Sequence, residues 1–295
     1  MIKKVAITTD SVCASPELAR RFGIGVIPYP VIMNGKSCSD LEAEAIREEI
    51  YDKLKTREDL PFASVPSPGE FLQIWQEVSQ DAKAILHFTI SSSYSGAYNL
   101  ALQVKQVACE RIPVEAVEAI DSQSVSCGQF LIVLEAAKAA IEGKSLEGVI
   151  NTAKDAMSRL IFLEIRDTLF YLDSRGRIHD SAEAQDWAKA ESAASFKSLI
   201  QCDASTDGKP KPLARAKTRT QIIKQMVEIA KEKVGDKKIS AAITHVGVPE
   251  DAERLKEVIL SQFQCDEIYL YEGSVVTAIY NGLGLLELAL LPLTG

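Results

Sequence analysis

Histidine is scarce in this 295-residue chain, with only His87, His179 and His245, and none of them stands at zinc-ligand spacing from a cysteine. The six cysteines (Cys13, Cys38, Cys109, Cys127, Cys202 and Cys265) include no Cys-x-x-Cys pair, which argues against both a metal site and a disulfide framework. Reduced, mostly buried thiols are expected. Neither Gly-x-Gly-x-x-Gly nor Gly-x-x-x-x-Gly-Lys-Ser/Thr occurs, so the familiar dinucleotide and P-loop signatures are missing. Positive charge is in the minority, 33 Lys and Arg against 41 Asp and Glu, and the net charge of −8 opposes nucleic-acid backbones and anionic membranes. No apolar run is long enough to span a membrane, and the apolar segment after Lys3-Lys4 is too short for a signal peptide, so a cytoplasmic protein is expected.

What the chain does have is an ordinary globular composition, 46% hydrophobic and 25% charged, in a length that exceeds a single hydrophobic core. Two α/β domains are expected: residues 1–160, built on a parallel sheet, and a smaller α/β domain over 161–295. The most informative stretch is Leu86–Asn99, where an apolar run ends in Ser91-Ser92-Ser93-Tyr94-Ser95-Gly96 before a helical pattern begins. It reads as strand, polar turn, helix. In open α/β sheets, ligands sit beyond the carboxyl ends of strands, where helix N–H groups can receive an anion. Ser93 or Ser95 would cap the helix, and the group of four serines also suits a ligand.

Two further strands end in the same way, one at Thr9-Asp10-Ser11 and one at Asp121–Ser126. Right-handed crossovers through the intervening helices would bring all three ends to one rim of the sheet. Ser15-Pro16 predicts a helix start and Gly23 its stop; Leu41–Leu54 has helical spacing; Ser67-Pro68-Gly69-Glu70 fits a capping box. In the second half, Asp167–Ile178 leads into an alanine-rich helix reaching about Phe196. A hairpin at Leu199–Ala216, helices Thr220–Val234 and Pro249–Phe263, and strands Ile239–His245, Glu267–Tyr271 and Leu285–Leu291 follow. Arg175-Gly176-Arg177 is suited to grip a carboxylate or phosphate with a bidentate fork.

Thr9-Asp10-Ser11, Ser64-Val65-Pro66-Ser67-Pro68-Gly69-Glu70-Phe71, Ser91–Gly96, Asp121–Ser126, Leu172-Asp173-Ser174-Arg175-Gly176-Arg177-Ile178, Lys217-Thr218-Arg219-Thr220 and Gly282-Leu283-Gly284 come in an order that resembles the DegV family across essentially the whole chain. The resemblance implies a bacterial, two-domain lipid-binding protein without catalytic residues, cofactor or metal. It would enclose one long-chain fatty acid such as palmitate and present its carboxylate to a partner acyl kinase. Of the family's carboxylate contacts, the turn serine falls on Ser95 and the Gly-Arg-Ile arginine on Arg177. Where the family usually has a threonine this chain has Ala63, with Ser64 next to it; where it has a late histidine this chain has Tyr280, and Ser198-Leu199-Ile200-Gln201 stands in place of a Lys-Pro element. Ser64, Ser95, Ser93, Arg177 and Tyr280, with Ala63 at the altered position, are thus the candidate head-group residues.

The main alternative is a small hydrolase with Ser93 or Ser95 as nucleophile and His87 or His245 as base, although no Gly-x-Ser-x-Gly elbow is present and His87 falls within a strand. His179, His245, Trp75 and Trp187 read as packing or surface residues. Arg175, Arg177 and the Lys217–Arg219 strip would supply a basic docking rim on an acidic surface.

Overall fold

A computed structural model describes residues 3–178, 182–191 and 196–294. Four parallel strands form the first sheet, in the order Gly25–Ile27, Lys3–Asp10, Ala82–Thr89, Ala116–Asp121. Lys3–Asp10 and Ala82–Thr89 are central and almost wholly buried, which is why they read as continuous apolar runs rather than as an alternation. The three polar strand ends do meet at one rim: Ile90 N–H donates to Asp10 Oδ2 (2.7 Å), Ser91 N–H to the Ser124 carbonyl (2.8 Å) and Ser92 N–H to Asp121.

The second sheet is mixed and six-stranded, in the order Lys211–Ala216, Lys197–Gln201, Ile161–Arg166, Leu286–Pro292, Ile239–His245, Cys265–Glu272. Between the two sheets runs the helix Ser126–Ile141, packed against strands of both. Twelve of its 16 residues are buried, so it is apolar on nearly every face, as a helix covered on all sides must be. Its one buried polar side chain of length, Gln129, donates to Thr9 Oγ1 (2.9 Å) and Asp10 Oδ2 (3.3 Å), which ties the helix to the first sheet.

The capped helices follow the sequence signals. Pro16–Phe22 starts at Ser15 and ends at Gly23, and Pro68–Ser79 opens on a reciprocal Ser67–Glu70 capping box. Leu41–Leu54 differs from expectation. It is broken into Asp40–Ala43, a 3₁₀ turn over Glu44–Ile46, and Arg47–Thr56. The tighter turn lets Glu44 accept from the Val275 N–H (3.0 Å) while also pairing with Arg47. Val31 pairs with Cys38 on one side and Ala63 on the other, making a small antiparallel sheet of Lys36–Ser39, Pro30–Met33 and Phe62–Ala63. The alanine-rich segment forms the helix Ala182–Glu191; residues 192–195 of its expected continuation, and His179, lie outside the described residues, and Phe196 is not helical.

Candidate functional site

A cavity of about 180 Å³ lies against residues of all three sheets' connections. One ordered water needs roughly 10–15 Å³ by the same kind of measure, so the space is large enough to admit an organic group. Apolar side chains, among them Val12, Val65, Ile90, Val125 and Val276, alternate with polar ones that fall into two groups.

The first group is built around the serine turn. Gly96 caps the helix Ala97–Arg111, and Ser95 Oγ accepts from the Ala97 N–H (3.2 Å) while sharing a 3.2 Å hydrogen bond with the Tyr29 hydroxyl. Burial, aided by Asp10, pushes the Tyr29 phenol well up, so Tyr29 keeps its proton. Opposite stands Arg177, half-buried, its guanidinium 4.1 Å from the Tyr280 ring centre and 5.7 Å from that of Tyr94. Among the described residues no carboxylate is paired with Arg177. Burial draws its pKa down, yet a guanidinium stays charged.

Five of the six sequence candidates line this cavity: Ala63, Ser64, Ser95, Arg177 and Tyr280. Ser93 is not among the lining residues; its backbone N–H donates to Ser91 Oγ (3.2 Å), which holds the turn closed. The Tyr280 hydroxyl, expected to face a ligand carboxylate, donates instead to the Ala63 carbonyl (2.7 Å), so what Tyr280 offers the cavity is its ring beneath Arg177. Most of the other rim hydroxyls are consumed within the protein. Ser91 Oγ donates to the Gly208 carbonyl (2.7 Å) and Ser124 Oγ to the Cys202 carbonyl (3.3 Å), which staples the rim to the hairpin of the second sheet. Gly208 takes a φ of +67° there, and Ser91 Oγ and the Gln123 backbone stand against the place a Cβ would take, which leaves no room for a side chain.

Two arginines of the expected basic rim have partners within the chain. Arg219 is held by Asp167 (2.8 Å), by Asp251 and by the Gly284 carbonyl (2.7 Å), and Arg175 donates to the Pro61 carbonyl (2.7 Å). The hydrolase alternative finds no geometry. His87 is fully buried between Phe71 and Trp75, bonded through Nδ1 to Thr8 Oγ1 (3.0 Å), and burial lowers its pKa to about 3. Ser95 has a tyrosine, not a histidine, as its hydroxyl partner, and neither His87 nor His245 lines the cavity.

The second polar group was not expected. Glu164 and Arg166, on one face of the strand Ile161–Arg166, form a buried two-point pair (2.9 and 2.8 Å), and Arg166 also bonds Asn281. Glu287 lies directly across from Glu164 on the neighbouring strand. Arg166, Asn281, Glu287 and Ser126 all line the cavity. Asn281 and Tyr280 end the helix Val275–Asn281, which the β-branched run Val275-Val276-Thr277 hid at the sequence level. A charge at alternate positions of an otherwise apolar buried strand, as in Ile161-Phe162-Leu163-Glu164-Ile165-Arg166, is the signal that could have found this group.

The family model for DegV, described as an uncharacterised protein family, matches residues 4–293. This chain belongs to the DegV family. A DegV domain-containing protein of Clostridium perfringens is 27% identical over 283 residues, 94% of this chain and 95% of its own length. A DegV family protein of Thermus thermophilus, described for fatty acid binding, superposes with a TM-score of 0.86 at 25% identity, covering 98% of this chain and all of its own. A hypothetical protein of Thermotoga maritima whose structure is described as revealing fatty acid binding reaches a TM-score of 0.84 at 18% identity over 99% of this chain and 100% of its own; at that identity the likeness is one of fold. Among the described residues no group of His, Cys, Asp and Glu could hold a metal ion, and no helix is long and apolar enough to cross a membrane.

Proposed function

We propose that this protein binds one long-chain fatty acid, such as palmitate, with the carboxylate at Ser95, Ser64, Tyr29 and Arg177 and the alkyl chain along the apolar wall. The observation that carries this reading is Arg177, a half-buried cation on the cavity wall that has rings beside it but, among the described residues, no acid to neutralise it. A ligand carboxylate supplies that charge, and a guanidinium in a partly dry site favours it strongly. Burying the chain contributes about 0.8 kcal/mol per CH₂, on the order of 10 kcal/mol gross for sixteen carbons before association and ordering costs. The descriptions of the Thermus and Thermotoga relatives support the same ligand class.

In this reading the protein is a cytoplasmic carrier. It holds the acid for a partner acyl kinase and performs no transfer itself: Ser95 has the Tyr29 hydroxyl and the Ala97 N–H as its partners, and neither His87 nor His245 lines the cavity. The division into domains 1–160 and 161–295 fits a ligand held where the two sheets meet. Organic extraction of freshly purified protein with mass spectrometry tests the reading. Near-stoichiometric long-chain fatty acid is expected; occupancy by a sugar or nucleotide, or no uptake of palmitate after delipidation, would refute it. The carrier role is tested separately, by ATP consumption that requires the protein, palmitate and an acyl kinase together.

A further inference from the structure

Glu287 is wholly buried on the cavity wall, and among the described residues neither of its carboxyl oxygens has a partner at ordinary hydrogen-bond length. The Ser126 and Tyr94 hydroxyls on the same wall are buried too, Ser126 near Glu287 and Tyr94 near Cys202, and among the described residues neither makes a hydrogen bond of ordinary length. Buried polar groups almost always find a partner, and each one left without is a cost to the folded chain. Three such side chains lining one space mark a place where a bound molecule completes the hydrogen bonding. Ser126 adds a second irregularity: its φ of +47° lies in the left-handed region that non-glycine residues avoid, and residues held in this way gather at functional sites.

The chemistry of the missing partner can be read from its surroundings. Arg166 has its guanidinium committed to Glu164 and Asn281, so it brings no unmatched positive charge. Burial first, and the facing Glu164 second, raise the Glu287 pKa to about 8, with Ser126 and Arg166 acting the other way. Near pH 7 the carboxyl is therefore a neutral acid with one O–H to donate and lone pairs to accept. A hydroxyl matches it in both directions. A plain methylene chain laid over it would bury the three groups for good with nothing to bond.

We infer that Glu287, Ser126 and Tyr94 form a second subsite that hydrogen-bonds a hydroxyl carried on the ligand's alkyl chain, so that the protein prefers a hydroxylated long-chain fatty acid to the plain one. This rests on the fatty-acid reading above and specifies its substrate class. A site built to hydrogen-bond a hydroxyl discriminates against the analogue lacking it more sharply than an apolar pocket discriminates a methylene.

The test is isothermal titration of the delipidated full-length chain with hexadecanoic acid and with hydroxyhexadecanoic acids substituted near the head, at mid-chain and at the terminus. At least one hydroxylated acid is expected to bind roughly tenfold or more tighter than the plain acid, with Glu287→Leu reducing that preference to under about twofold. Ser126→Ala, a smaller change for the fold, is expected to reduce it in part. If every hydroxylated acid binds the wild-type chain no better than hexadecanoic acid, the subsite is overturned, whatever the variants do. If hexadecanoic acid binds but preference persists in folded Glu287→Leu, the assignment to Glu287 is overturned. If no acid of either kind binds, the fatty-acid reading itself fails and this inference falls with it.

Discussion

The two polar groups on the cavity wall use buried polarity in opposite ways. Around the serine turn most of the serines and one oxygen of Asp10 bond within the protein: Asp10 with Ile90, Ser91 with Gly208, Ser124 with Cys202, Ser95 with Tyr29. What is left over there is a cation, Arg177. On the second sheet the cation is matched, Arg166 with Glu164, and what is left over is the Glu287 carboxyl, with the Ser126 hydroxyl at the start of the helix Ser126–Ile141 and the Tyr94 hydroxyl of the serine turn on the same cavity wall. A leftover charge near the surface calls for a counter-charge; leftover neutral groups in the interior call for a hydrogen-bonding partner. The contrast shows why a cluster of serines alone is a poor guide to a ligand site. The groups that matter are those whose bonding the fold leaves incomplete.

The contrast breaks most visibly if the two arginines are exchanged for methionine one at a time. Arg166→Met strands Glu164 as a buried charge and is expected to cost about 3–5 kcal/mol of stability, read as a large fall in the unfolding midpoint. Arg177→Met should leave stability within about 1 kcal/mol, because Arg177 has no buried acid to abandon, while palmitate affinity falls by roughly tenfold or more. Equal stability losses in the two variants would erase the distinction drawn between them.

Ser95→Ala comes next, and is expected to weaken palmitate binding by roughly 1–3 kcal/mol with the fold intact. An unchanged dissociation constant would move the carboxylate contact to Ser64 or Tyr29.

The third effect is a pH dependence. Because the folded pKa of Glu287 is raised to about 8, the folded chain binds a proton there that the unfolded chain releases near pH 4.3. The stability this gives is fully present below the unfolded value and is lost as pH rises toward about 8. Asp10, raised to about 7, and Asp40, raised to about 6, both chiefly by burial, add to the same decline. His87, lowered to about 3, acts in the opposite sense, losing stability as pH falls from about 6.5. Thermal unfolding of Glu287→Gln across pH 5 to about 8.5 should therefore show a shallower decline than the wild type, the Asp10 and Asp40 part remaining. Parallel curves would mean that Glu287 ionises normally in the fold. The smallest effect is expected of Tyr280→Phe, which deletes one hydrogen bond to the Ala63 carbonyl and keeps the ring under Arg177, for a loss of about 0.5–1.5 kcal/mol of stability and little change in binding.

Much of the fold is legible in the sequence. Capping residues such as Ser15, Ser67 and Gly23 act within one turn of chain, so their helices begin and end where the local signals say. The gathering of three strand ends follows from crossover handedness, which does not depend on detail. Which hydroxyl at that rim is free depends on partners far away in sequence: Ser91 meets Gly208, 117 residues on, and Ser95 meets Tyr29, 66 residues back. Spacing cannot reveal such pairings, and Ser93 and Ser95 looked alike for that reason. Arg219 looked exposed in a basic strip for the same reason, since Asp167 and Asp251 reach it only in the folded chain. Glu287 passed as part of a closing apolar strand, although a single acid within Leu285-Leu286-Glu287-Leu288-Ala289-Leu290-Leu291 is the kind of residue that a buried strand carries only with a purpose.

The central claim is that Arg177 and Ser95 receive a fatty-acid carboxylate, and carbon-13 NMR of carboxyl-labelled palmitate bound to the protein tests it most directly. The account predicts a single bound carboxyl resonance that stays in its ionised position to well below the ordinary carboxyl range, that titrates higher in Arg177→Met, and that shifts in Ser95→Ala. A bound carboxyl that titrates as it does in water, with the same resonance in both variants, would place the head group elsewhere and contradict the account.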